Sequence, residues 1–198
     1  ERGEVHGLAK RYQAQLGLRR TGLAKKLGHT VVERVAIVGS DPYLREGSDV
    51  TFMFALNSQA VFDTELARHM SAYESEVPGI VESSIVHSAQ TITVHRDPAG
   101  IVRQHRALVG KVALVSNSEG AIRAVLDAFD GKRPRLSDEP DLGYMLARDP
   151  GAHQGFAFLS DRYIATVVVA GQTVPASRRP LAPAGRLTPV YRAPQSGG

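Results

Sequence analysis

Residues 112–129 read VALVSNSEGAIRAVLDAF, and this stretch decides the fold of the chain. Its first four residues form a continuous aliphatic run, which is typical of a buried β-strand. Ile122, Val125, Leu126 and Phe129 then recur at i, i+3, i+4 and i+7, so all four lie on one face of a helix. We therefore predict a buried strand, a tight polar turn and an amphipathic helix.

The polar turn supplies side-chain oxygens for the free N–H groups at the start of the helix. Ser116, Asn117 and Ser118 are all residues that cap helices, and Glu119 follows Ser116 by three, as in a capping box. Ser118 with Gly120 also half-matches the nucleophile elbow G-x-S-x-G. Because a serine replaces the first glycine, the tight backbone approach of that motif is not met. We therefore predict a cap and not a nucleophile.

Length and composition fit one globular domain with tails. The chain has 198 residues, of which 42% are hydrophobic and 22% charged. The absence of cysteine excludes a disulfide framework, a zinc–thiolate site and a thiol nucleophile. No stretch approaches the roughly 20 apolar residues that span a bilayer, so we predict no transmembrane segment. The chain begins at Glu1 without a signal peptide, as a processed form or a fragment would.

Positive charge is concentrated at the two ends of the chain. Residues 1–30 contain seven Lys or Arg against two Glu, and residues 162–198 contain five Arg and no acid. Since the whole chain carries +4, the part between them is net acidic. Basic ends attract anionic surfaces non-specifically. We predict at most weak contact with such surfaces and no specific nucleic-acid partner.

The order of periodic segments predicts an α+β fold with a mainly antiparallel sheet covered by helices. We predict a basic amphipathic helix within residues 1–30, an α+β domain over 31–170 and a disordered Pro/Gly/Arg-rich tail over 171–198. Strands are expected at 31–38, 48–56, 80–87, 91–95, 101–109, 112–115 and 156–159. Helices are expected at about 5–27, 58–77, 118–129, 137–148 and 161–168.

The turn at 97–100 suggests a register for the two strands that flank it. Pairing Val94 near Gln104 gives the sheet one apolar and one polar face. In this register His95 and His105 share the polar face. The seven histidines show no metal-ligand spacing, and no phosphate-binding glycine loop is present. We therefore predict no metal site, no cofactor and no catalytic residue.

Residues 35–54, VAIVGSDPYLREGSDVTFMF, resemble the nucleotidyltransferase signature, in which G-S is followed by S-D-hydrophobic-D. The resemblance implies that Gly39 and Ser40 hold a triphosphate and that Ser48 and Asp49 begin the metal-binding strand. Thr51 stands at the position of the second carboxylate, and one carboxylate does not clamp two metal ions. The alternative interpretation is that the same residues form a turn, in which side chains of Ser and Asp hydrogen-bond the backbone.

A second resemblance covers most of residues 31–165. VSNSEGAIRAVLDAFDGKRPRLSDEPDLGYML, with GSDPYLREGSDVTFMF upstream, is similar to a family of large bacterial proteins of unknown function. In that family a strand ends in V-S-N-S, and a Leu-x-Asp-x-Pro-Asp stretch opens a later helix. The matching residues here are Leu136, Asp138, Pro140 and Asp141. The resemblance implies an envelope-associated or secreted protein of which this chain is a piece, and it implies no catalytic residue.

Two functions lead from the sequence, beside a third interpretation, nucleic-acid binding through the basic ends, which would show as binding that collapses with added salt. The first is a non-enzymatic structural or interaction module of a larger bacterial protein, whose partner is another protein or the rest of a longer chain. The second is a degenerate nucleotidyltransferase-like domain that binds a nucleotide. They differ at Gly39, Ser40 and Asp49, which line one pocket in the second interpretation and form only a turn in the first.

Overall fold

The computed structural model describes residues 5–19, 30–39, 49–148 and 156–160. Within these ranges the centre of the fold is one six-stranded antiparallel sheet with strand order β1-β2-β6-β5-β4-β3, which confirms the predicted α+β class. The strands are β1 (Val32–Val38), β2 (Thr51–Leu56), β3 (Val81–His87), β4 (Gln90–Arg96), β5 (Arg103–Val109) and β6 (Val112–Ser116).

Helices lie on both faces of this sheet. They are α1 (Val5–Gln15), α2 (Gln59–Glu74), α3 (Glu119–Phe129) and α4 (Pro140–Arg148), with a 3₁₀ turn at Leu136–Asp138. The helix predicted to reach residue 27 ends at Gln15, because Gly17 adopts φ +60° and terminates it. Among the described residues, none of the helices is long and apolar enough to cross a membrane.

The stretch 112–129 folds into the predicted strand, turn and helix, but its cap differs from the expected one. Ser118 is the N-cap of α3, and its side chain accepts the N–H of Ala121 at 3.2 Å. Ser116 is fully buried in β6, where its Oγ accepts the hydroxyl of Thr51 at 2.8 Å. The predicted capping box between Ser116 and Glu119 is therefore wrong, because Ser116 belongs to β6 and its hydroxyl bonds Thr51.

Each face of the sheet contains its own apolar cluster, so the expected division into one apolar and one polar face is also wrong. On the face covered by α1 and α2, here the α2 face, Phe62 and Leu66 pack against Phe54. On the opposite face, here the α3 face, Ile122 and Leu126 pack on the strands. The helices α2 and α3, which follow β2 and β6, thus cover opposite faces of the sheet. Each helix buries every second residue of the strands beneath it.

The register of β4 against β5 differs by one residue from the predicted one. Val94 lies opposite His105, and His95 lies opposite Gln104. The cause is Asp97, which is buried and accepts the backbone N–H of Val102 at 2.6 Å, so that Val102 belongs to the loop. Since a shift of one residue exchanges the faces of a strand, His95 lies on the α2 face and His105 on the α3 face.

The end of the described chain departs from the prediction as well. Residues 156–160 form no strand and pair with none of the described strands. Phe156 and Leu159 are largely exposed, so the apolar run there has no strand partner among the described residues. The predicted helix at 161–168 and the predicted tail at 171–198 lie outside the described residues.

Gly17 and Gly110 provide a matched test of how α1 is fixed to the core. Both have positive φ, but a Cβ on Gly17 would lie 2.5 Å from Met70 Cε, whereas one on Gly110 would meet no atom within 4 Å. We expect Gly110→Ala to cost about 1 kcal/mol of unfolding free energy, from the left-handed backbone alone. Gly17→Ala should cost about 1 kcal/mol more, because buried Met70 has to move.

Urea denaturation of the two variants measures the difference directly. Equal losses would show that α1 does not pack on Met70 as described.

Candidate functional site

Polar residues from four strands meet at one end of the sheet, where β2 and β5 begin and β4 and β6 end. Antiparallel neighbours place the start of one strand beside the end of the next. These residues surround a cavity of about 310 Å³, within the range of about 300 to 1,000 Å³ typical of small-molecule sites. This polar cavity is lined by Asp49, Arg96, Arg103, His105, Asn117, Ser118 and Glu119.

Asn117 holds the entry to β2 in place beside the cavity. Its side-chain oxygen accepts the N–H of Val50 at 2.8 Å, and its amide donates to Oε1 of Gln15 at 2.9 Å. Three separate segments are therefore tied together by one side chain. The position of Asp49, one residue before Val50, is fixed by this link.

Two arginines face each other across the cavity. Arg96 ends β4 and Arg103 begins β5, and the two are directly opposite in the register of the pair. Directly opposite Cβ atoms in an antiparallel pair are only about 5 Å apart, so two like charges there are unfavourable. The arrangement costs stability unless an anion lies between or beside the two guanidinium groups.

Three carboxylates lie near these arginines, and each is held differently. Glu119 accepts from Arg123 at 2.7 Å, so a third guanidinium matches its charge. Asp97 is buried and accepts two backbone N–H groups of its own loop. Asp49 lines the same cavity as the two arginines. The two arginines and the two carboxylates of the cavity lining balance in formal charge, and Arg123, which binds Glu119 from outside the lining, brings the sum to +1.

His105 forms the inner wall between the arginines and the sheet. It is only 9% exposed, and burial lowers its pKa below the usual value, so the ring is neutral at pH 7. Its Nδ1 is buried without a hydrogen-bond partner among the described residues, and so is Nε of Arg103. A buried polar atom without a protein partner usually bonds to water or to a ligand, and Nδ1 of His95 on the opposite face is a further example.

The first turn of α3 completes the polar cavity. Ser118 and Glu119 open an eleven-residue helix whose first N–H groups point toward this end of the sheet. The partial positive charge of a helix N-terminus stabilises an anion placed there. The helix therefore adds to the field of the two arginines.

A second cavity, of about 430 Å³, continues from the first along the α3 face. It shares Arg96, His105 and Glu119 with the polar cavity, and its other walls are mainly apolar. We call this second cavity the apolar cavity, and we call the two cavities together the groove. The residues that line only the apolar cavity are Gly79, Val81, Ser83, Ile85, Val94, Asp97 and Pro98. One row of cross-strand neighbours runs from Thr51 through Ser116, His105 and Val94 to Ser83. Val81, Ile85 and Val94 make the end of the groove near β3 the more apolar one.

The residues predicted from the nucleotidyltransferase resemblance are only partly brought together. A Cβ on Gly39 would lie 2.8 Å from the backbone oxygen of Asp49, so the two residues are neighbours, and Asp49 lines the polar cavity. Ser40 and Ser48 lie outside the described residues. Thr51, at the position of the second carboxylate, is buried and hydrogen-bonded to Ser116 inside the sheet.

Most of the groove was missed from the sequence. The predicted register placed Arg103 and His105 on one face but Val94 on the other, and it made no use of Arg96. Strand alternation over residues 91–109 would have grouped Arg96 with Arg103 and His105 had the loop length been known.

A second polar cluster lies at the hairpin between β3 and β4 and resembles a catalytic arrangement only superficially. His87 Nε2 donates to Asp127 Oδ1 at 2.7 Å while Arg123 donates to Nδ1, and the bond from His87 lowers the pKa of Asp127. Ser88 donates to the same carboxylate at 3.2 Å. In a catalytic triad the serine bonds the histidine that removes its proton, whereas Ser88 and His87 both bond Asp127. This geometry therefore does not activate Ser88 as a nucleophile.

The hairpin cluster has a structural role. Ser88 and Ala89 adopt φ +52° and +60°, which is unfavourable for residues other than glycine. Lys132 donates to Ser88 Oγ at 2.7 Å, and Asp127 holds both Ser88 and His87. These bonds fasten the strained turn to α3 and its C-terminal loop.

Comparison with family models, with curated proteins and with solved structures gave no match. Within the described part of the chain, no group of three or more His, Asp or Glu side chains is placed to hold a metal ion. The chemistry of the groove is thus defined by its own residues.

Proposed function

We propose that this chain is a non-enzymatic interaction module of a larger bacterial protein and that it recognises an anionic group in the polar cavity. The observation that carries the proposal is the directly opposed pair of Arg96 and Arg103 at the wall of that cavity. A carboxylate or phosphate that contacts both guanidinium groups relieves their repulsion and forms charge-assisted hydrogen bonds.

Two further features support an anion over a cation as the ligand. The N-terminus of α3 adds positive potential beside Arg96 and Arg103. Nε of Arg103, which is buried without a hydrogen-bond partner among the described residues, lies at the same cavity. An oxyanion accepts hydrogen bonds from a guanidinium group, and a metal ion would be repelled by the arginines.

The second candidate function is binding of a nucleotide through a metal ion on Asp49. It is favoured by the contact between Gly39 and Asp49, which are the first and the last of the residues in the resemblance. In this candidate Asp49 is needed for binding. In the anion proposal the same carboxylate opposes binding, because it places a negative charge in the cavity.

The substitution Asp49→Asn therefore has opposite effects in the two candidates. If the cavity binds an anion directly, the affinity for methyl phosphate should rise by about three- to tenfold, because a like charge is removed. If a metal-bound nucleotide is the ligand, thermal stabilisation by Mg²⁺ and nucleoside triphosphate should appear in the wild type and vanish in the variant.

NMR titration with methyl phosphate and thermal melts with Mg²⁺ and nucleotides measure both effects. Asp63→Asn on α2, on the other side of the sheet, is the matched control and should change neither affinity. A loss of methyl phosphate binding in Asp49→Asn would contradict the anion proposal.

A further inference from the structure

We propose that the ligand of the groove is an amphiphilic organic anion, with a carboxylate or phosphate head between Arg96 and Arg103 and an apolar body in the apolar cavity. The inference rests on the proposed function and adds the class of ligand. Its basis is that a cavity rich in charged groups opens directly into one with apolar walls.

The two cavities form one continuous site and not two neighbouring ones. Arg96, His105 and Glu119 line both, so a molecule that contacts Arg96 lies at the entrance of the apolar cavity. With about 310 and 430 Å³, each part is large enough for a portion of one small molecule.

The walls of the apolar cavity match a hydrocarbon body. Val94 forms the buried floor and belongs to the cluster on the α3 face, against which half-buried Ile85 packs. Val81 is 64% exposed and Pro98 is exposed, so apolar surface faces water beside the arginines. Covering this surface with an apolar group is favourable, whereas a simple inorganic anion leaves it wet.

The position of β3 leaves room for the body. This strand is at the edge of the sheet, and four of its seven residues are exposed in succession from Val81 to Ser84. Strand alternation directs Ser83 toward the apolar cavity and Ser84 toward the opposite face, where it lies across from Thr93. The two serines therefore form a matched pair for testing the site.

The first experiment compares head groups with and without an apolar body. Methyl phosphate, hexyl phosphate, acetate, hexanoate and hexanol are titrated into the wild-type chain and followed by NMR. In the head-group series that binds more tightly, the six-carbon member should bind at least about tenfold more tightly than the short one, since each fully buried methylene contributes about fourfold. Phosphate and carboxylate heads are told apart by which series is the tighter one. Hexanol, which lacks the head, should bind at least tenfold more weakly than the six-carbon anion.

The second experiment blocks the apolar cavity alone. Ser83→Trp should reduce the advantage of the six-carbon anion to less than about twofold and leave the affinity for the short anion unchanged. Ser84→Trp, which places the same side chain on the other face, should keep the full advantage. Both sites are exposed on an edge strand, where an aromatic residue is well tolerated, and thermal melts check the fold.

The outcomes separate this inference from the function on which it rests. If short anions bind but the six-carbon anions bind no more tightly, the inference is overturned and the anion site stands. Survival of the chain advantage in Ser83→Trp overturns it too. If no anion binds, both proposals fail.

Discussion

Replacing Arg96 and Arg103 together by Gln is expected to weaken methyl phosphate binding by at least about a hundredfold. Each arginine can form charge-assisted hydrogen bonds worth about 1.5–3 kcal/mol to an oxyanion, and the glutamine amide retains the shape but not the charge. Arg106→Gln is the matched control, because Arg106 lies on β5 with Arg103 but faces α2, where it is 3.6 Å from Asp63. That control should change the affinity by less than about twofold.

The same double variant also tests whether the arginines have a structural role. If the two arginines serve ligand binding and not stability, removing these neighbouring positive charges should leave the free energy of unfolding unchanged or raise it by up to about 1 kcal/mol. A sheet that needs them for stability would instead lose more than about 1 kcal/mol. Titration and urea denaturation together distinguish a binding pair from a structural pair, and a large loss of stability with unchanged affinity would contradict the proposed function.

Truncating Leu114 in the centre of β6 is expected to cost about 3 kcal/mol of unfolding free energy. The side chain is fully buried on the α3 face, in the cluster that contains Ile122 and Leu126. Leu114→Ala removes its apolar contacts and leaves a cavity between sheet and helix, a change that costs about 2–5 kcal/mol in packed cores. Denaturation in urea gives the value directly.

A chemically identical change on the surface provides the comparison. Leu146 on α4 is 45% exposed, so Leu146→Ala should cost less than about 1 kcal/mol. Similar losses at the two positions would mean that α3 does not pack on the sheet through Leu114. A weakened contact between α3 and the sheet should also weaken anion binding, because the first turn of α3 forms part of the polar cavity.

The groove also explains why this end of the sheet departs from simple patterning. Nδ1 of His105 and Nε of Arg103 are buried here without a hydrogen-bond partner among the described residues, as is Nδ1 of His95 on the α2 face. Departures from local consistency are expected at functional or strained sites. The hairpin at the other end of β4 also carries strain, but Asp127 and Lys132 satisfy its polar groups with partners from the same chain.

The sequence by itself determined the elements around residues 50–130 and the class of the fold. Periodicity fixes which segments are strands and helices, because the apolar residues of β6 and α3 repeat at the spacing of one strand and one helical face. The capping pattern also marked a boundary, since Ser118 is the N-cap of α3 as predicted. These signals are local in sequence, so they can be recognised without knowing the tertiary contacts.

The tertiary structure alone decided the register and hence the groove. The prediction for β4 and β5 failed because the hydrogen bonds of Asp97 draw Val102 into the loop. This shift of one residue puts His95 and His105 on opposite faces of the sheet, whereas they were predicted to share one. Whether Ser116 caps α3 or pairs with Thr51 was likewise settled by burial in the sheet. The groove is assembled from β3, β4 and β5, from residues next to β2 and β6, and from the start of α3. Such non-local geometry follows from packing and not from local pattern.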